Sequence, residues 1–147
     1  MKINLHLIMA TIGTMGSILA SLFGGWDAAL KTLLIFMAID FITGLIVGGV
    51  FHNSTKTKTG TLESKASFKG LCRKGTILLF VLIGTRLDMA FDCDYIRNGI
   101  CIAYIFNELL SIVENAGLMG LPIPKVLTNA IDVLKSKVEG EGEQNGN

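Results

Sequence analysis

The stretch "AALKTLLIFMAIDFITGLIVGGVF", residues 28–51, decides the class of fold. It is rich in Leu, Ile, Phe and Val and is interrupted by only two charges, Lys31 and Asp40. At about 1.5 Å per residue, a helix of this length covers a hydrocarbon core of about 30 Å. Lys31 lies near one end, where its long side chain can reach the interface. Asp40 lies near the middle, where it cannot. This segment is predicted to span a membrane.

The totals agree with that reading. Of 147 residues, 50% are hydrophobic and only 17% charged, and the mean hydropathy is +0.56. A soluble domain of this length needs more polar surface to cover itself. The expected fold is an all-α integral membrane protein of three to four transmembrane helices plus a short C-terminal amphipathic helix, forming one membrane domain over residues 1–138. A formal net charge of +1 gives no reason to expect a nucleic-acid partner.

On the N-terminal side, "LHLIMATIGTMGSILASLFG" (5–24) is a weaker candidate span, with Gly, Ser and Thr throughout. No small-residue cleavage site followed by a polar domain is evident, so it is expected to remain as a membrane helix. Gly24, Gly25, Trp26 and Asp27 read as a tight turn, with Trp26 suited to the membrane–water interface.

On the C-terminal side a polar loop carries Lys56, Lys58, Lys65, Lys69, Arg73 and Lys74 against Glu63 alone. By the positive-inside rule this loop (52–74) and the C-terminus are expected to be cytoplasmic. Ser67 is the expected N-cap of a third span, 68–91, and 96–118 is a fourth. "GLPIP" ends it at Pro122 and Pro124. Residues 124–137 read as an amphipathic helix with Val126, Leu127, Ala130, Ile131 and Leu134 on one face. The apolar-free residues 139–147 are expected to be a disordered tail. Four spans place both termini in the cytoplasm; in the alternative, three spans cross and residues 5–24 lie in the interface.

Three kinds of feature could carry function. The first helix has a small-residue stripe that includes Gly13, Ser17 and Ser21, and the second has Gly44 and Gly48 as a GxxxG. Small side chains let helices approach closely in lipid. Asp40, Arg86, Asp88, Glu108 and Glu114 are ionisable residues in apolar segments, where a mid-helix Asp, Lys or Arg costs roughly 2.5–3.5 kcal/mol on insertion scales. They are expected to face protein, water or one another: Arg86 beside Asp88, Asp40 or a glutamate of the last span, as a packing network or a water-lined path. In "YIFNELLSIVENAG" (104–117), Asn107, Ser111 and Asn115 follow an i, i+4 row flanked by Glu108 and Glu114. Such a narrow polar face can bind another helix or line water.

No catalytic constellation is recognisable. His6 and His52 are far apart without matching ligands, the three cysteines match no metal or redox spacing, and the glycines form no phosphate loop. No catalytic, metal or cofactor-binding residue is expected, and no cofactor.

The combination of "NELLSIVENAGLMGLPIP" (107–124), "KGLCRKG" (69–75), "TRLD" (85–88) and "DFITG" (40–44) resembles the bacteriophage holin family, which includes clostridial holin-like proteins linked to toxin release. The resemblance covers roughly residues 28–137. It implies a homo-oligomer that accumulates in the bacterial cytoplasmic membrane and forms a pore or lesion. A cell-wall hydrolase (endolysin) or a toxin would be the cargo, and an antiholin a partner. The rival readings are a narrow ion or small-solute channel and an antiholin-type regulator.

Overall fold

A computed structural model describes residues 4–144, and the described residues contain helices and turns but no strand. Five helices follow in order: α1 (Leu5–Leu22), α2 (Ala28–Ile46), α3 (Ser64–Phe91), α4 (Ile96–Leu118) and α5 (Lys125–Gln144). α2 continues as one π-helical turn, Val47–Phe51. Leu5–Leu22, Ala28–Phe51 and Ile96–Leu118 are long and apolar enough to cross a membrane. α3, at 28 residues, is also long enough, but Lys74, Arg86 and Asp88 punctuate its apolar run.

α2 begins where it does because Asp27 caps it: its carboxylate accepts from the Leu30 amide at 2.9 Å, satisfying a donor with no partner inside the helix. α4 begins by a longer-range version of the same device. Asp88, near the end of α3, accepts from the amides of Ile96 at 2.9 Å and Arg97 at 3.0 Å. The turn between them takes Asp92 at φ 52.

Contacts fix the directions. The N-terminal end of α2 meets that of α4 through Asp27 and Arg97. Beyond its C-terminal end, Asn53 donates to the Leu118 carbonyl at the end of α4. α2 and α4 therefore run parallel, and α3 runs antiparallel to both. Their apolar core is Leu30, Leu33 and Met37 from α2, Ile77 and Val81 from α3, and Cys101 and Ile105 from α4. On the other sides large apolar residues such as Ile35, Ile42, Leu79 and Ile83 are exposed. That is the pattern of a bundle whose solvent is lipid.

α1 is different. Ala20 is its only buried residue, and Leu5, Ile8, Met9, Ile12 and Met15 are exposed around it. It is attached to the three-helix core only at its C-terminal end.

Two boundaries differ from the sequence expectation. α3 starts at Ser64 with Glu63 before it, so Ser67 is not the cap; its hydroxyl donates to the Glu63 carbonyl inside the first turn. Residues 52–74 are accordingly not one loop, because their second half is helix. α5 extends through Gln144 instead of ending at 137, so residues 139–144, expected in a structureless tail, are helical. The Lys135–Glu139 pair, one turn apart at 3.9 Å, bridges that boundary. Residues 145–147 lie outside the described residues.

Candidate functional site

Asp40 sits about 18 Å along α2 from Ala28, at mid-span. A carboxylate there needs a partner, and the antiparallel α3 supplies Lys74. Its ammonium donates to Asp40 Oδ2 at 2.8 Å and also to Glu108 Oε2 of α4. The three side chains are between 4% and 11% exposed. One lysine thus ties together all three core helices.

Asn115, two turns beyond Glu108, extends the network. Its Nδ2 donates to Asp40 Oδ1 at 3.1 Å, to the Asp40 carbonyl at 3.3 Å and to Thr43 Oγ1 at 2.9 Å. Among the described residues no buried side-chain N or O lacks a partner. Lys74 faces two carboxylates, which leaves a surplus of negative charge. Lys56 approaches from the loop, its Nζ 3.9 Å from where a Cβ on Gly44 would lie. Buried charges persist only when paired and hydrogen-bonded in this way.

Several sequence candidates thus occupy one place. Asp40, Glu108 and Asn115 meet, and Ser111 is half-buried beside them. Asn107 and Glu114 are exposed, so the polar row of α4 does not act as one face. The inward stripe is Glu108, Ser111 and Asn115, at helical spacings of three and four, with Ser111 only half-buried. Lys74, read with the basic loop, is instead the buried hub. Arg86 is exposed and, among the described residues, reaches only Met89 Sδ at 3.7 Å, meeting neither Asp40 nor a glutamate. Asp88 is a capping carboxylate, as described above, and not the partner of Arg86.

The glycines of α2 serve the chain itself. Gly44 makes room for the Asn115 amide, and a Cβ on Gly48 would lie 3.3 Å from the Leu62 backbone. The π-helical turn brings Gly48 against that returning loop. Gly13 of α1 has nothing within 4 Å of a would-be Cβ. Ser17 is exposed, as is Ser21, whose hydroxyl is satisfied by the Ile18 carbonyl.

A second polar cluster, missed in the sequence, closes the end at which α2 and α4 begin. Arg97 is buried at 6% exposure. Its Nε donates to the Phe23 carbonyl at 2.6 Å, and its other nitrogens reach Asp27 and the Gly25 carbonyl. The Arg97 guanidinium holds the Asp27 carboxyl below the usual carboxylate range. The cluster fastens the α1–α2 turn to α4. The available signal was Asp27 directly before an apolar run, which marks a cap.

Between α2, α3, α4 and the loop lies a cavity of about 590 Å³. Its floor includes Asp40, Lys74 and Glu108, and its mouth includes Lys65, Lys69, Arg73 and Glu114. Lys58 does not line it.

Residues 17–136 match the family model described as "Bacteriophage holin family". A protein in the nagH 3′ region of Clostridium perfringens is 36% identical over 128 residues, covering 86% of this chain and 91% of its own. A Listeria monocytogenes protein is 36% identical over 130 residues, covering 88% and 86%. A Bacillus phage phi105 protein whose name reads "Probable holin" is 30% identical over 116 residues, covering 78% and 80%. No solved structure matches.

Proposed function

The chain belongs to the bacteriophage holin family, and on that premise we propose that it works as a holin. It accumulates in the bacterial cytoplasmic membrane with the basic segment and C-terminus inside. It then associates with copies of itself and opens a lesion. An endolysin or a toxin crosses by that opening, and the chain itself catalyses nothing.

The observation that carries this reading is the Lys74–Asp40–Glu108 network at mid-span. While the three helices stay together, these charges are buried against one another and mostly apolar surface meets lipid. If the helices part, the same side chains become a strongly polar face that only water satisfies. A chain of this kind has a membrane-compatible closed form and a water-lining open form. α1, apolar nearly all round and attached at one end, supports the reading as an element free to contact other copies.

The test is induced expression in a bacterium carrying a folded cytoplasmic reporter enzyme and a co-expressed endolysin. Release of the reporter and lysis at a set time are expected. Ion leakage without protein release would replace this reading with the narrow channel. No toxicity alone, together with delayed lysis by a second holin, would replace it with the antiholin-type regulator.

A further inference from the structure

The cavity above the charge network has features that the closed bundle does not use. Lys65, Lys69 and Arg73 recur every four residues along α3, so they form one column about 12 Å long. All three line the cavity, and Lys56 lines it on the side of Gly44. Lys65, Lys69 and Arg73 pair with no carboxylate among the described residues, whereas Lys56 lies toward the Asp40 network. Four carboxylates also line the space: Asp40 and Glu108 are bound by Lys74, while Glu63, exposed and accepting from Thr59 at 3.3 Å, keeps its charge. Glu114 remains at the rim. The same walls carry Phe41, Leu45 and Leu110.

Unpaired cations beside apolar side chains, at the end of a membrane bundle, match an amphiphile with an anionic head. We propose that this cavity binds the phosphodiester headgroup of an anionic glycerophospholipid. The phosphate lies against Lys65, Lys69 and Arg73, and the first acyl carbons lie against Phe41, Leu45 and Leu110. A free phosphate ion would share the cationic column but gain nothing from the apolar wall. Bound there, the lipid ties α3 to the loop that carries Lys56 and so holds the closed bundle together. Anionic lipid content would then set how readily the closed form opens.

The full-length protein, purified in a neutral detergent, is examined by native mass spectrometry and thermal melting. Phosphatidylglycerol, phosphatidylcholine or inorganic phosphate is added to separate samples. Phosphatidylglycerol is expected to be retained roughly tenfold more than phosphatidylcholine and to raise the melting temperature. Inorganic phosphate is expected to do neither. The variant Lys65→Gln/Lys69→Gln/Arg73→Gln is expected to lose that preference while melting unchanged in phosphatidylcholine. Glu114→Gln, which removes a rim carboxylate and leaves the column intact, is expected to strengthen it. Equal retention of the two lipids overturns the proposal, and so does a preference that survives in the triple variant. Stabilisation by inorganic phosphate alone overturns the lipid assignment in favour of a free-anion site. If the triple variant does not fold, Glu114→Gln still decides, because weaker phosphatidylglycerol retention in it contradicts a headgroup beside the column.

Discussion

At the scale of single residues, Lys74 has the largest effect on the closed bundle. Lys74→Met leaves Asp40 and Glu108 buried without a counter-charge, a loss of about 3–5 kcal/mol. A lower melting temperature in detergent and earlier lysis on induction are the expected readouts. Glu108→Leu acts oppositely on timing. It leaves the one-to-one Lys74–Asp40 pair and a more apolar interior, so insertion is retained and lysis is delayed; unchanged timing would count against the network as the opening element. Asp27 gives a pH signature. Its native pKa is the lower one, so its contribution is complete above the unfolded carboxylate range and is lost as pH falls through the native value. The side chain is 45% exposed, which limits the effect to no more than about 1 kcal/mol. Asp27→Asn should therefore flatten the acid side of the stability profile, followed by the fluorescence of the neighbouring Trp26. Asp40 and Glu108 were legible in the sequence because a carboxylate amid apolar residues needs a partner. Lys74 was not, because the positive-inside rule already explained a lysine in that run.

At the scale of elements, α3 and α4 approach closely at Gly84. A Cβ there would lie 2.7 Å from Ile100 Cδ1 and 3.0 Å from the Arg97 Cα. Gly84→Ala should cost about 1–3 kcal/mol through overpacking, seen as a lower melting temperature. Gly13→Leu makes the contrast, since that position faces open space. It should leave the melting temperature of dispersed protein unchanged while altering lysis timing, if α1 meets other copies. Helix existence was legible from length and hydropathy, and the starts of α2 and α4 fell where expected. The start of α3 was not, because Ser67 has a capping side chain yet lies one turn inside a helix whose first residues are polar. The GxxxG of α2 was legible as a close approach but not by what. Gly44 and Gly48 admit a side chain and a loop of the same chain, and pairwise spacing holds no information about the neighbour.

At the scale of the whole molecule, α2 and α4, running parallel, and the antiparallel α3 are pinned by charge at two levels, Lys74 at mid-span and Arg97 at the end where α2 and α4 begin, with an apolar core between. Removing both pins, as in Lys74→Met with Arg97→Met, should destabilise nearly additively, because the two clusters share no partner. A clear departure from additivity in thermal melts would mean that the ends communicate. The global arrangement was legible only as a count of spans. Which helices touch depends on pairings between distant residues, and the sequence offers several partners for every charge. Those distances along the chain bear on biosynthesis. Lys74 follows Asp40 by 34 residues, and Glu108 follows Lys74 by another 34. At roughly 5–20 residues per second, each interval lasts about 2–7 s on the ribosome. During the first of them Asp40 lacks Lys74, so α2 is made before the lysine that binds its carboxylate in the finished bundle. The finished bundle is thus sealed by the last of its three core helices to be made, and a nascent chain halted before α4 holds a membrane hairpin that is still unlocked.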